Sequence, residues 1–295
     1  MQNKIHKLNE ESLPGLYQSS NRVSLKNQLN YFSAIKWYLI LLISAALISY
    51  FYPKEEFSPI ISLLIFLVTI SILIWLQVSK PDDLWYNGRA VAESIKTRSW
   101  RWCMRATPYE NNVDLNIVIN KFISDQENIL KQNKSASRIL DEEIPISPIS
   151  ETMKQIRLLN ISDRLKLYRD QRIKDQINWY SLKSKENKRK SNFWFFVSIT
   201  LHATAILLLI YKIKETGLNL PIETFTTAAT GVLTWINSKK FNELHSSYKL
   251  TAHEITFIKM GGQSITTEEE LSEFIINSET AFSREHTQWV ARKIS

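Results

Sequence analysis

The residues best suited to form a functional site in a membrane lie in one weakly polar stretch, residues 219–238. Four of its polar side chains recur at intervals of three or four residues: Glu223, Thr227, Thr230 and Thr234. Residues at that spacing share one face of a helix. We interpret this face as the lining of a pore, with the Glu223 carboxylate as a charge ring at the outer mouth of an oligomer. The alternative is close helix packing, because alanines and a glycine lie between the threonines.

An ionisable residue, His202, lies in the middle of the apolar run 192–211. Ionisable side chains inside a membrane are rare and are functional candidates by default. His202 is therefore a second candidate for the pore lining. Under either interpretation of residues 219–238, we expect its imidazole to hydrogen-bond to the threonines there.

Two charged residues, Arg172 and Asp175, occupy positions of a helical repeat that is otherwise apolar or aromatic. One interpretation is that they fix the register of two paired helices. In that case they would pair with polar residues across the seam, for which the candidates are His245, Thr251 and Glu254. The other interpretation is a conformational switch or a contact with a ligand.

A further charged set follows the second apolar run, and it consists of Arg89, Glu93, Arg101 and Arg105. The simplest interpretation is a solvated helix face with salt bridges to neighbouring helices. The alternative is that the arginines bind an anionic signal, which would make this segment a sensing surface.

Motifs of common catalytic and cofactor sites are missing from the sequence. No glycine-rich phosphate loop, nucleophile elbow or kinase signature occurs. His245 and His253 lack further ligands at metal-binding spacing, and a single cysteine, Cys103, offers no thiolate cluster. We therefore expect no catalytic residues, no cofactor and no metal, and we predict that the protein is not an enzyme.

The elements that position these residues are apolar runs, since roughly 20 helical residues are needed to cross a bilayer. Three runs meet this requirement clearly, at about 37–53, 58–78 and 192–211. The fourth, 219–238, contains Pro221, which suits the first turn of a helix. Its rival interpretation is a re-entrant or interfacial helix. Tryptophans and tyrosines mark the ends of the runs, as they do at membrane interfaces.

The net charge of +8 is concentrated beside the apolar runs, which favours a membrane over nucleic acid. Three lysines lie in the two hairpin tips, whereas 15 lysines and arginines flank the opposite ends of the runs. Positive residues concentrate on the cytoplasmic side of membranes. We therefore predict a multi-pass protein of the inner (cytoplasmic) membrane, with both termini in the cytoplasm. Its partner is the lipid bilayer, and no nucleic acid is expected.

Most of the remaining sequence shows the spacing of amphipathic helices, including 162–190 before the third run and 239–260 after the fourth. Two helices that leave one membrane hairpin on the same side are expected to pack antiparallel. The predicted fold is an all-α membrane protein with two transmembrane helical hairpins, or four spans. Long cytoplasmic helices extend the hairpins as antiparallel coiled-coil-like bundles. The predicted domains are 1–132 and 151–295, joined by a linker at 133–150.

The two halves resemble each other when the sequence is shifted by 160 residues. The matched pairs include Trp75 and Trp235, Lys80 and Lys240, and Ile95 and Ile255. In each half a helix leads into a span, a short tip, a second span and a further helix. Both hairpins have the same orientation, so these are parallel repeats rather than the inverted repeats of many secondary transporters.

Several segments resemble one protein family, the SLATT family of SMODS- and SLOG-associating two-transmembrane effector domains. Residues 84–109, LWYNGRAVAESIKTRSWRWCMRATPY, resemble the signature of one subtype. Parts of a second subtype are resembled by three further segments, residues 168–185, 234–255 and 282–292. The chain thus resembles two different SLATT domains in tandem.

This resemblance implies a bacterial effector of conflict systems that use nucleotide signals, and one that perturbs or perforates the membrane. It also implies a separate protein partner linked to such a signal, unless the cytoplasmic helices sense the signal themselves. We interpret the protein as a homo-oligomeric, pore-forming membrane effector that is gated through its cytoplasmic helices. The alternative is a non-conducting membrane scaffold or sensor that recruits a cytoplasmic partner, because most of the chain is predicted to be cytoplasmic helix.

Overall fold

The protein is described by a computed structural model that covers residues 7–111, 114–133, 140, 147–215, 217–262 and 264–294, with side chains of the last helix only as far as residue 282. The regular structure of these residues is entirely helical, which confirms the all-α prediction for this part of the chain. The helices are α1 (Gly15–Phe51), α2 (Phe57–Ser79), α3 (Pro81–Cys103), α4 (Leu115–Lys131), α5 (Glu151–Leu158), α6 (Ile161–Tyr168), a π-helix (Arg169–Ile173), α7 (Lys174–Lys214), α8 (Ile222–Lys239), α9 (Phe241–Gly261) and α10 (Glu268–Ile294).

Three helical stretches are long and apolar enough to cross a membrane, and they contain three of the four predicted spans. They are Gly15–Phe51, Phe57–Cys103 and Ile161–Lys214. Large apolar side chains such as Leu63 and Leu64 are exposed along α2, as expected for a surface that lipid covers. The fourth predicted span corresponds to α8, which has 18 residues and does not belong to these three stretches. Four complete spans therefore remain a prediction.

One compact unit, called unit 1 below, consists of Met1–Asn27, Asp82–Lys183 and Ser247–Ser295. Its core is rich in aromatic residues, since Trp102, Tyr109, Phe122 and Tyr168 are each at most 1% exposed. The rings of Tyr109 and Phe122 meet edge to face, with centroids 5.5 Å apart. Burying such large rings supplies much of the stability of this unit.

The close approach of α1 and α3 within unit 1 depends on Gly88. A Cβ atom at this position would lie 3.0 Å from the carbonyl oxygen of Ser20 and 3.2 Å from Cβ of Ser24. The Ser24 hydroxyl donates a hydrogen bond to the carbonyl oxygen of Trp85 at 3.0 Å. A larger side chain at position 88 would therefore force the two helices apart.

The other compact unit, unit 2, consists of Gln28–Pro81 and Ser184–Ser246, so each unit draws residues from both halves of the sequence. Within unit 2, α8 packs through small residues, since Thr224, Ala229 and Gly231 are buried. Aromatic rings surround the end of α8, where the centroid of Trp235 lies 6.4 Å from that of Trp194. Small residues and aromatic rings therefore pack α8 within unit 2.

Helices α7 and α9 run antiparallel where they contact each other. In unit 1 the ring centroids of Trp179 and Tyr248 are 5.3 Å apart. In unit 2 the hydroxyl of Ser184 donates a hydrogen bond to the carbonyl oxygen of His245 at 3.0 Å. Coiled-coil packing of these helices remains a prediction.

The internal repeat is visible at two helix ends. Lys80 ends α2 and Lys240 ends α8, and both residues have a left-handed backbone, with φ of 46° and 50°. The N–H of Lys80 donates to the carbonyl oxygen of Leu76 at 3.1 Å, and that of Lys240 donates to Ile236 at 2.9 Å. Because few residues other than glycine adopt positive φ, the same cap at matched positions indicates a structural repeat.

Candidate functional site

A buried charged cluster in unit 1 surrounds the carboxylate of Glu279 on α10. The π-helix Arg169–Ile173 presents Arg172 to this carboxylate. Inserted π-helical turns are rare and often occur at functional sites, because they redirect side chains that a regular helix would place elsewhere. We call the group Arg172, Glu279, Tyr168 and Thr97 the Glu279 cluster.

Four hydrogen bonds from three side chains converge on the Glu279 carboxylate. Arg172 binds it in a bidentate manner, with Nε 2.9 Å from Oε1 and Nη2 2.8 Å from Oε2. The Tyr168 hydroxyl donates to Oε1 at 2.9 Å, and the Thr97 hydroxyl donates to Oε2 at 2.9 Å. The side chains of Arg172 and Glu279 are 2% and 0% exposed, so this ion pair is removed from water.

The environment keeps Arg172 charged and Tyr168 neutral. Burial acts to lower the pKa of Arg172, but the charge of Glu279 and its hydrogen bonds raise that pKa overall. Burial, followed by the charge of Glu279, raises the pKa of Tyr168 well above its usual range. The Arg172 guanidinium also lies 4.6 Å from the ring centroid of Phe282. The cluster is therefore a compensated buried ion pair, whose disruption would leave a charge in the core.

The partner predicted for Arg172 was wrong. Within the described part of the chain, Arg172 pairs with Glu279 of α10 rather than with His245, Thr251 or Glu254 of α9. Asp175, which was predicted together with Arg172, is exposed to solvent and lies outside the cluster.

The other predicted charged residues lie on α3 in unit 1. Arg89 forms an ion pair with Glu93 at 2.7 Å, and its Nη1 donates to Oδ1 of Asn21 at 3.4 Å. Arg101 Nη2 donates to the hydroxyl of Thr280 at 3.3 Å. The ion pair lies within α3 rather than between helices, whereas the two hydrogen bonds join α3 to α1 and α10. Arg101 thereby touches the residue that follows Glu279.

The predicted pore-lining residues of α8 lie mostly on its exposed side. Glu223, Thr230 and Thr234 are exposed and Thr227 is partly buried, whereas the opposite side packs within unit 2. The Thr234 hydroxyl donates to the carbonyl oxygen of Thr230 at 3.0 Å, which satisfies it within the helix. We call Glu223, Thr227, Thr230 and Thr234 the α8 stripe.

The predicted contact between His202 and these threonines is not observed. Nδ1 of His202 instead lies 2.7 Å from the carbonyl oxygen of Ser198, one turn earlier in α7. The imidazole is exposed, so it belongs to the surface of unit 2 rather than to its interior. This contact with the preceding turn of the same helix replaces the expected contact with α8.

The described residues form neither a metal site nor a reactive thiol. Among them, no group of three or more His, Cys, Asp or Glu side chains is placed to hold a metal ion. Cys103 is fully buried, and burial raises the pKa of its thiol, which makes the thiol a weak nucleophile.

The long apolar helices and the all-helical core define the protein as a helical membrane protein. Residues 168–289 match the family model described as SMODS and SLOG-associating 2TM effector domain 1, and residues 14–165 match effector domain 3. The second match covers slightly more than half of the chain, and together they confirm the resemblance seen in the sequence. The chain belongs to the SLATT family and carries two different SLATT domains in tandem, which makes it a membrane effector. Comparison with curated proteins and with solved structures finds no match.

Proposed function

We propose that the protein is a non-enzymatic, homo-oligomeric effector of a bacterial conflict system that opens a path through the inner membrane. In this proposal α8 completes a fourth span, both termini lie in the cytoplasm, and unit 1 receives the activating signal. A partner protein linked to a nucleotide signal delivers the activation, or unit 1 senses the signal directly. The family membership supports the effector role, since both matched models describe effector domains.

The observation that carries the proposal is the exposed polar side of α8. The exposed face of α2 is formed largely by leucines, isoleucines and other apolar residues, which suit lipid. The α8 stripe instead exposes a carboxylate and two threonines. In this proposal the Glu223 carboxylate lies at the outer mouth, where contact with water or with a second copy of the chain is favoured over contact with lipid. A ring of α8 helices around a shared axis would provide both, with Glu223 attracting cations.

Gating is proposed to act through the Glu279 cluster. Helix α7 begins directly after the π-helix, at Lys174. It continues without interruption to Lys214, through the third predicted span. In this proposal the intact cluster corresponds to the closed state, and release of Arg172 from Glu279 acts on the span through this continuous helix.

Ion flux through reconstituted liposomes tests the conducting path. Glu279→Gln, which weakens the Glu279 cluster, should raise flux over wild type when flux is measured below the melting temperature of the variant. On that background, Thr230→Leu should lower flux at least about tenfold by making the path apolar, and Glu223→Gln should lower the preference for cations. The matched control is Thr200→Leu, because Thr200 is an exposed threonine of α7 outside the stripe, and its flux should stay within about twofold.

The proposal fails if no variant conducts, or if Thr230→Leu and Thr200→Leu have the same effect. Loss of assembly without any flux would support the scaffold interpretation, in which the threonines only pack. Reporter fusions test the topology independently: fusions at Lys54 and Leu218 should report outside, and fusions at Asn133 and Ser295 inside. A C-terminus on the outside would contradict the fourth span.

A further inference from the structure

Three arginines of unit 1 lie near the start of α10, and two of them contact a single carboxylate there. Arg105 follows α3, Arg157 is on α5 and Arg164 is on α6. The carboxylate belongs to Glu268, the first residue of α10. These four residues are called the arginine site below, and none of them belongs to the Glu279 cluster.

Backbone carbonyl groups hold two of the arginines in place. Nη1 of Arg157 donates to the carbonyl oxygen of Trp102 at 2.6 Å, and Nη1 of Arg164 donates to that of Met104 at 2.7 Å. Arg157 and Arg164 are 3% and 0% exposed. Arg105 is tied to the same site, because its Nε donates to the carbonyl oxygen of Arg157 at 2.8 Å. The guanidinium groups are therefore preorganised before any ligand binds.

Positive charge exceeds negative charge in this site. Nη2 of Arg164 hydrogen-bonds to Oε1 of Glu268, and Nη1 of Arg105 lies 3.6 Å from the same oxygen. Within the described part of the chain, Glu268 is the one carboxylate that forms ion pairs with Arg105 and Arg164, and the Arg157 guanidinium donates only to backbone carbonyl groups. Burial, followed by the charge of Arg105, lowers the pKa of Arg157 to about 10. In addition, Nε of Arg157 is buried without a hydrogen-bond partner among the described residues.

Glu268 can leave the site without unfolding the helix that carries it. Its side chain is 48% exposed, and that of Arg105 is 19% exposed, so solutes reach this side of the site. Residues other than Glu268 cap the start of α10. The N–H of Glu270 donates a hydrogen bond to the Thr267 hydroxyl at 3.2 Å. The Glu270 carboxylate in turn accepts from the N–H of Thr267 at 3.1 Å. Glu268 therefore serves the arginines rather than the helix cap.

We propose that the arginine site binds a phosphate-bearing anion, which replaces the Glu268 carboxylate on Arg105 and Arg164. A phosphate group carries up to two negative charges and several acceptor oxygens, so it satisfies more of the surplus guanidinium charge than one carboxylate does. Arginine is suited to this role because its planar donors bind phosphate in a bidentate manner. Glu268 acts as a built-in competitor that occupies the site in the absence of the anion.

Calorimetric titration of the detergent-purified full chain with inorganic pyrophosphate tests the site. Glu268→Gln removes the competitor and should tighten binding by about tenfold or more, since the ligand no longer displaces a charge. Arg105→Gln should weaken binding by at least about tenfold. Arg105 is the most exposed of the three arginines, so its replacement is the least disruptive, and unchanged circular dichroism confirms folding. Glu269→Gln is the matched control, because Glu269 is an exposed glutamate on the same helical turn.

The result expected is tighter binding in Glu268→Gln and little change in Glu269→Gln. Short-chain phosphatidic acid, titrated separately, distinguishes a lipid headgroup from a soluble ligand: binding of either probe with this dependence on Glu268 supports the site. Equal effects of the two glutamate variants would show only a response to net charge and would overturn the proposal. Failure of Glu268→Gln to bind either probe at millimolar concentration would also overturn it. The readout is binding alone, so it does not depend on whether the protein conducts.

Discussion

Removing the charge of Glu279 is the sharpest perturbation of unit 1 that the structure offers. Glu279→Gln preserves the size of the side chain and keeps an acceptor oxygen for Tyr168 or Thr97. It removes the negative charge that compensates Arg172, whose side chain is 2% exposed. The guanidinium would then be a buried charge with neutral hydrogen-bond partners, which is the costly case.

The expected loss of stability is large. Breaking one side of a buried ion pair costs about 3–5 kcal/mol. For a domain of this size, 1 kcal/mol shifts the melting temperature by about 2–4 °C, so the drop should be roughly 6–20 °C. The double variant Arg172→Met with Glu279→Leu removes both charges and should recover most of the loss, because apolar replacements of a buried pair are often neutral or stabilising.

Thermal unfolding in detergent, followed by near-ultraviolet circular dichroism, measures this effect through the buried tryptophans of unit 1. The matched control is Glu127→Gln, which breaks an exposed ion pair with Lys131 at 3.4 Å. Exposed pairs one helical turn apart contribute about 0.3–0.5 kcal/mol, so the control should barely change the melting temperature. A loss below about 1 kcal/mol in Glu279→Gln would refute the assignment of Arg172 and Glu279 as a dry, mutually compensating pair.

Two further predictions concern unit 1. Gly88→Ala should lower the free energy of unfolding, because the overpacking of its Cβ against the Ser20 carbonyl oxygen, about 1–3 kcal/mol, exceeds the gain of about 0.5–1 kcal/mol from replacing a helical glycine. Gly261→Ala, with nothing within 4 Å of its Cβ, should not lower it in the same melting experiment. Burial raises the pKa of Tyr109 and Tyr168, so the unfolded state loses their protons first and stability should fall as pH rises above about 10. Tyr168→Phe should lower that slope by about 1.4 kcal/mol per pH unit, and an unchanged slope would show that Tyr168 ionises in the folded state.

The sequence was a good guide to the membrane helices and to the repeat. Long apolar runs leave a helix as the only way to satisfy backbone hydrogen bonds in lipid, so three spans could be predicted from composition. A fourth span around Glu223 was harder to predict from the sequence, because small and polar residues lower the hydropathy of this stretch. The match of Lys80 to Lys240 could be found because the repeated residues keep the same spacing in both halves.

The partners of the buried charges could not be predicted. Glu279 lies 107 residues after Arg172 and resembles any other glutamate of an amphipathic helix. The π-helix that turns Arg172 toward Glu279 leaves no mark in the spacing of apolar residues, so a regular helical repeat pointed to α9 instead. Likewise, Arg157 and Arg164 look like solvated surface residues until the fold places backbone carbonyl groups around them.

Lys80 and Lys240, which end α2 and α8 with a left-handed backbone conformation, combine backbone strain with a favourable charge. Glycine would adopt the same φ without strain, so each lysine costs the fold about 1 kcal/mol. In return, each lysine keeps a positive charge beside the last carbonyl groups of its helix, where the helix dipole is negative. A glycine at position 80 or 240 would relax the turn but would leave those carbonyl groups without that charge. The ends of both helices therefore combine a strained backbone with a positive charge at the negative pole of the helix dipole.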